Sequence, residues 1–477
     1  MTVPSKQPFM TIVITLMLGN FLAVSSMSSI NIVVPEFTIY FQADLSQVQW
    51  VMSGFLLASG VISPLSGWLG DRLTYRKLYQ ISLCLFMFTS VLCTLAWSIE
   101  SLNTFRVFQG FACGLIVPAS MTLIYILVEK KKRPLALSFW SVGAIFGPAI
   151  GPTLAGFLAS HFGWKSIFLL NVPIGVITMV FIFLYIPKSE KAIKEGNFSW
   201  TEFLTIFGGS GFILYSVNLI NWPFQALIIL LFGIMLLSIF IKISFRKKQP
   251  LLNLKVFHSK MFSITTVTSC VLLANLYIGT FFMPVYLQDV LNQSSLEAGL
   301  TLMPSALAMG MTTIIAGKIY RDDRVSVLFF LGIALLLASS VGLSFLTVTS
   351  SYVTVLMWMV FRNIGISLAL IVLTNKGMAS TEKHLVGHAS ASINWLRQSS
   401  SAFIISIMTV AVASLILFYE ANGLTNLAAF TESLSLAFIV NTVLVVFTIP
   451  VGLYLLKQQR RERKRFVQEE YKSAQES

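Results

Sequence analysis

Three arginines stand inside long apolar runs, Arg106 and Arg362 deep within theirs and Arg397 near the start of another, and no carboxylate lies at a matching depth. If those runs cross a bilayer, an ionised side chain at its centre costs about 2.5 to 3.5 kcal/mol on insertion scales, which makes each arginine a functional candidate. Two roles stand open for Arg106 and Arg362: recognition of a substrate, or a hydrogen-bonded clamp between helices. Metal chemistry finds little support. The histidines are His161, His258, His384 and His388, all in or near connections. His384 and His388 have the i, i+4 spacing, but their HLVGH context lacks the HExxH glutamate, and two imidazoles supply half of a tetrahedral shell. Cys84, Cys93, Cys113 and Cys270 lie in apolar runs without a CxxC pair or zinc spacing, so they read as packing residues. No metal and no cofactor is expected.

The composition requires these runs to be membrane spans. Of 477 residues, 56% are apolar and 11% are charged, against roughly 25% charged in a soluble domain. At about 20 residues per helix this is enough for thirteen or fourteen spans, and almost nothing remains for a nucleotide-binding, DNA-reading or extracellular module. Windows of ~19 residues place fourteen spans at 9–35, 48–69, 77–97, 102–127, 135–159, 165–187, 201–220, 223–244, 261–288, 297–319, 325–347, 351–374, 391–418 and 433–456. The first is too long for a signal-peptide core and ends at no A-x-A-like site, so it is read as a retained helix.

The connections alternate in charge. Arg72, Arg76, Lys77, Lys130, Lys131, Lys132, Arg133, Arg246, Lys247 and Lys248 fall on one side; the other has Lys165 but also Glu36, Asp44, Glu100, Asp289, Glu297, Glu420 and Glu432. The basic side is cytoplasmic by the positive-inside rule, which puts both termini inside. The net charge of +14 then reports topology, and no nucleic-acid partner is expected. The basic tail from Lys457 through Arg460, Arg461, Arg463, Lys464 and Arg465 reads as a cytoplasmic anchor that can meet anionic lipid headgroups, at about 1 kcal/mol per basic residue near the surface.

Four ordered segments resemble the major facilitator superfamily, fourteen-helix drug:proton antiporter branch. GWLGDRLTYRK, Gly67 to Lys77, is similar to its G-x-L-x-D-R-x-G-R-K loop signature, with Thr74 or Tyr75 where glycine is usual. RVFQG, Arg106 to Gly110, is similar to R-x-x-Q-G. Gly143, Gly147, Pro148, Gly151 and Pro152 resemble the G-P-x-x-G antiporter motif, and WKSIFLLNVPIG follows from Trp164 to Gly175. Pro284, Gln288, Gly299, Pro304, Gly317 and the Arg397–Gln398 pair stand where that branch has them.

The resemblance implies an all-α membrane protein of the major facilitator fold: two six-helix bundles plus two inserted helices. The expected domains are 1–187 (first bundle), 188–250 (linker with two additional helices), 251–456 (second bundle) and 457–477 (basic tail). Substrate would sit between the bundles near the midplane, and transport would be rocking of one bundle against the other. Gly143, Gly147 and Gly151 recur every four residues, a stripe on which a neighbouring helix can approach closely, while Pro148 and Pro152 would bend it. Gly67, Asp71, Arg72 and Arg76 would form a conformational latch made in one access state and broken in the other.

The first span departs from the branch. Its usual L-D-x-T-x-x-N-x-A-x-P reads here as S-S-M-S-S-I-N-I-V-V-P, so Ser26 stands at the aspartate position and Asn31 matches the asparagine. A serine hydroxyl does not titrate in the working pH range, so any coupling proton must use another site, and a cationic substrate loses its natural counter-ion. The expected substrate and coupling set is Arg106, Ser26, Asn31, Gln109, Trp140, Tyr277, Arg362 and Trp395, with Asn20, Ser25, Ser28, Ser29 and Tyr215 as further polar or aromatic surface. The resemblance implies secondary-active export of amphipathic organic compounds from a bacterial cytoplasmic membrane, with protons as the coupling ion. A dedicated exporter or flippase of a lipid or anionic metabolite is the alternative, and a non-transporting sensor or scaffold a further one.

Overall fold

The computed structural model describes residues 9–129, 132–187, 199–217, 219, 222–247, 250–320, 324–382 and 385–459, and these are helical with no strand. Lys130, Lys131, Lys248, His384 and the tail from Arg460 onward lie outside the described residues, as do the side chains of Gly67, Asp71 and Pro148.

In chain order the helices are α1 (Phe9–Ser29), α2 (Val34–Phe41), α3 (Leu45–Val48), α4 (Trp50–Ile62), α5 (Leu65–Leu73), α6 (Tyr75–Thr94), α7 (Ile99–Leu127), α8 (Arg133–Phe162), α9 (Lys165–Tyr185), α10 (Trp200–Val217), α11 (Pro223–Arg246), α12 (Lys260–Val285), α13 (Ser295–Ile319), α14 (Val325–Ser344), α15 (Tyr352–Ala379), α16 (Val386–Ala421) and α17 (Asn426–Val446). Polar residues in the connections set where several begin. Ser98 and Ser101 bond reciprocally at the start of α7, and Ser294 and Glu297 do so at the start of α13. Each pair satisfies two of the donors a helix start leaves open.

Among the described residues, twelve helical stretches are long and apolar enough to cross a membrane. The fourteen expected spans are therefore matched in part. Outside this set are the short α5, α10, whose hydropathy is diluted by glycine, serine and Glu202, and α8, whose side chains are described only in part. The first stretch is longer than expected, running Phe9–Phe41 because a tight turn at Ile30–Val33 feeds directly into α2, with Pro35 in its first turn. A proline there loses no hydrogen bond.

Packing sorts most helices into two groups. Helix α1 lies against α7, α8 and α9, while α6 and α4 lie on α7; in the second half α15 packs on α12, α13 and α14, and α16 and α17 close the group. The two groups meet through α8 with α13 and α4 with α16. Hydrogen bonds cross between them at the end bearing Glu36 and Gln49: Gln288 Nε2 donates to Ile32 O (2.8 Å), Ser295 Oγ to Glu36 Oε1 (3.0 Å), Thr153 Oγ1 to Gly299 O (3.1 Å) and Ser406 Oγ to Gln49 Oε1 (3.0 Å). Helices α10 and α11 pack chiefly on each other, with α10 also touching α4 and α16. Glu202 of α10, fully buried, accepts from Lys247 Nζ (3.2 Å) and from the backbone N–H of Leu251 (3.3 Å), tying this hairpin to the segment that leads into α12.

Candidate functional site

Arg106 is fully buried, and each of its donor nitrogens has an acceptor. Nε donates to Val51 O at 3.1 Å, Nη1 to Gln109 Oε1 at 2.6 Å and Ser26 Oγ at 3.2 Å, and Nη2 to Ser26 O at 3.5 Å. The guanidinium carbon lies 4.0 Å from the Phe55 ring centroid, a contact that further offsets desolvation. Gln109 passes the network on: its Nε2 donates to Ser90 Oγ (2.6 Å), which also accepts from Asn171 Nδ2 (3.2 Å). Five helices, α1, α4, α6, α7 and α9, are thus joined around one cation. Of the two roles left open by the sequence, this geometry is that of the clamp.

Arg362 is equally buried but differently bonded. Its Nε donates to Asn275 Oδ1 (3.0 Å), while Nη1 and Nη2 have no hydrogen-bond partner. The guanidinium lies flat on Gly279, where a Cβ would sit 2.5 Å from Arg362 Cζ. Arg397 joins three helices, its Nε donating to Ser269 Oγ (2.8 Å) and its Nη2 to Thr374 Oγ1 (2.8 Å).

None of these arginines lines the cavity between the two helix groups, a space of about 320 Å³. Its wall draws on α1, α4, α7 and α8 from the first group and α12, α13, α15 and α16 from the second. Asn31, Trp140 and Tyr277 of the expected set are in this wall; Ser26, Arg106, Gln109, Arg362 and Trp395 are not. Trp395 instead packs its ring on Phe240, with centroids 5.9 Å apart, and Tyr215 is exposed on α10. Trp140 is held in place, its Nε1 donating to Ser120 Oγ (3.0 Å) and its carbonyl accepting from Asn20 Nδ2 (3.1 Å).

No charged side chain is among the described residues of the wall, which is mostly apolar with interspersed amides and hydroxyls. Asn363, Asn394 and Ser305 belong to it and escaped the sequence reading. An asparagine inside an apolar run was the available signal, because polar groups in lipid are expensive. Asn363 Nδ2 donates to Ser305 Oγ (3.1 Å).

The glycine stripe of α8 is a seat for α1. A Cβ at Gly143 would meet Met17 O at 2.8 Å, one at Gly147 would meet Ser25 N at 2.9 Å, and one at Gly151 would meet Ser28 Oγ at 2.8 Å. Pro152 lies at the cavity wall, and a Cβ on Gly299 of α13 would meet its carbonyl oxygen at 2.9 Å. Of the expected latch residues, Gly67 and Asp71 lie along α5, Arg72 stacks 4.5 Å from the Trp68 ring centroid, and Arg76 Nη2 donates to Ile182 O (3.4 Å) and Phe183 O (3.3 Å) at the end of α9. His388 Nδ1 accepts from Asn253 N (3.2 Å), and among the described residues no group of three or more metal-ligating side chains lies together.

Two helix groups that share a cavity inside an apolar shell are the architecture of a membrane transporter. The chain belongs to the Major Facilitator Superfamily, whose family model matches residues 16–405. It is 30% identical over 394 residues to the colistin resistance protein EmrB of Acinetobacter baumannii, which spans 80% of this chain and 76% of that protein. The uncharacterized MFS-type transporter YcnB of Bacillus subtilis is 28% identical over 469 residues, 95% of this chain and 97% of that one. The multidrug export protein EmrB of Haemophilus influenzae, 26% identical over 83% of this chain and 79% of its own, is a further relative. These names agree with the exporter branch that the motifs resemble. The fold is also that of a bacterial homolog of the human lysosomal transporter Spinster, solved inward-facing and unoccupied, with a TM-score of 0.69, 14% identity and coverage of 94% of this chain and 97% of that one.

Proposed function

We propose that this transporter is a secondary-active exporter of amphipathic organic compounds, working by alternating access in a bacterial cytoplasmic membrane. The observation that carries the reading is the cavity of about 320 Å³ walled by both helix groups, of a size and polarity that suit small-molecule sites. The organisation that goes with it is fourteen spans with both termini cytoplasmic: bundles over 1–187 and 251–456, an inserted pair within 188–250, and a basic tail at 457–477. Asn31, Trp140 and Tyr277 contact substrate, while Arg106, Gln109 and Ser26 hold the first bundle rigid. Asp71, Arg72, Arg76 and Gly67 form the latch, and Gly143, Gly147, Pro148, Gly151 and Pro152 are the seat on which α1 rests. Protons drive export through a group other than an α1 carboxylate.

Flux into everted vesicles, with and without a proton gradient, tests this: accumulation of an amphipathic dye that collapses with the gradient is expected, and no flux under either condition rejects export. Asp71→Asn should slow flux at equal expression. Single cysteines at Lys131 and Glu420 should label from opposite faces, and labelling from one face would overturn the topology. A second reading, export of a lipid or anionic metabolite, draws support from the missing carboxylate at Ser26.

A further inference from the structure

The charge character of the cavity points to a substrate class. Its wall carries amides on opposite sides, Asn20 and Asn31 from the first helix group and Asn363, Asn394 and Gln398 from the second. Three of them are anchored through the amide nitrogen: Asn20 to Trp140 O, Asn31 to Ser28 O and Asn363 to Ser305 Oγ. Their carbonyl oxygens, and that of Gln398, have no hydrogen-bond partner. These oxygens carry almost no accessible surface, and a buried acceptor without a donor is costly, so a ligand bearing N–H or O–H groups favours any side-chain turn that brings one of them to the cavity.

Charge is a separate matter. The described wall holds no carboxylate, and the charges nearest to it in the chain are positive: Arg362 adjoins Asn363, Arg397 adjoins Gln398, and Arg106 bonds Ser26, next to the lining residue Met27. The fully buried carboxylate of Glu202 lies on α10, engaged by Lys247. A cation entering the cavity loses water and finds no counter-charge on the described wall. The rings of Trp140 and Tyr277 offer it a cation–π contact, which offsets only part of the lost hydration. An uncharged donor-bearing group meets the same amides without that loss.

We propose that the cavity selects uncharged amphiphiles carrying hydrogen-bond donors, such as alcohols and amides, and discriminates against cations. This rests on the cavity being the transport site. The test uses the full-length protein in lipid nanodiscs and a biphenylmethyl scaffold ending in hydroxyl, ammonium, trimethylammonium or carboxylate. Binding is measured by calorimetry after subtracting partition into empty nanodiscs. The alcohol should bind at least about tenfold more tightly than either cation, tenfold being the step produced by about 1.4 kcal/mol. Asn394→Asp, which places a carboxylate in a partly exposed part of the wall, should raise trimethylammonium affinity about tenfold relative to the alcohol, the same step. A cation that binds the unaltered protein as well as the alcohol does would overturn the proposal, and so would a carboxylate that binds tightest. An unchanged preference in Asn394→Asp would overturn its assignment to this cavity. Binding of no member of the series would remove the exporter reading along with it, whereas tight binding of the alcohol without flux would remove the exporter reading alone.

Discussion

Arg106 and Arg362 occupy corresponding places in the two helix groups, each fully buried on the fourth long helix of its group and each bonded to the first, yet their surroundings differ. Arg106 has acceptors on α1, α4 and α7 and an aromatic ring beneath it. Arg362 has Asn275 and a bare glycine face. Three residues after Arg106 stands Gln109; three residues after Arg362 stands Gly365, packed so closely on Gly332 that a Cβ would meet its carbonyl oxygen at 2.6 Å. The second group thus gains close helix contact where the first gains a hydrogen bond. The lesson is that a buried arginine in a membrane bundle can be a satisfied clamp or an under-bonded charge, and helix-to-helix spacing decides which.

Substitutions can break this contrast. Removing the clamp should have the largest effect: Arg106→Ala leaves Gln109, Ser26 and Val51 O without their donor, and a loss of about 3 to 5 kcal/mol is expected, as for breaking a buried network. The check is a lower melting temperature in detergent, followed by intrinsic fluorescence. The opposite sign is expected at the second site, where Arg362→Met replaces an under-bonded charge by an apolar chain. Such replacements are neutral or stabilising by about 1 to 4 kcal/mol, and a fall in melting temperature as large as that of Arg106→Ala would erase the distinction.

Adding a partner sharpens it. Asn275→Asp gives Arg362 a carboxylate acceptor and should stabilise by about 1.5 to 3 kcal/mol, the range for hydrogen bonds to charged groups. Ser26→Asp offers the same to an arginine already supplied with acceptors, so its rise in melting temperature should be smaller; equal rises would mean that the two sites are equally hungry for charge. The smallest effect is expected from Ser90→Ala, which cuts the link from Gln109 to Asn171 without touching the guanidinium, at about 0.5 to 1.5 kcal/mol. Its melting temperature should fall between those of the unaltered protein and Arg106→Ala.

Much of the site was readable from residue type, and part was not. The three lone charges in apolar runs were conspicuous, and two of them, Arg106 and Arg362, turned out fully buried. Asn31, Trp140 and Tyr277 were expected in the substrate set and line the cavity, whereas Trp395, from the same set, turns toward Phe240 on the inserted hairpin. Asn363 and Asn394 line the cavity without having drawn attention. The reason is rotational: neighbouring positions on a helix differ by 100°, so one asparagine faces solvent and the next residue faces lipid according to how the helix is turned by its packing.

By itself the sequence determined the membrane class, the ordered superfamily motifs and the absence of a carboxylate at Ser26. Apolar run length, motif order and residue identity are properties of a linear chain and need no neighbours to be defined. The tertiary structure decided that Arg106 is tied across five helices instead of facing the cavity, that the α8 glycines seat α1, and that amides from both halves surround an uncharged space. Those outcomes depend on which helix faces meet, and helix faces in a bilayer are chosen by close packing and by pairing buried polar groups, not by burying apolar surface that lipid solvates equally well.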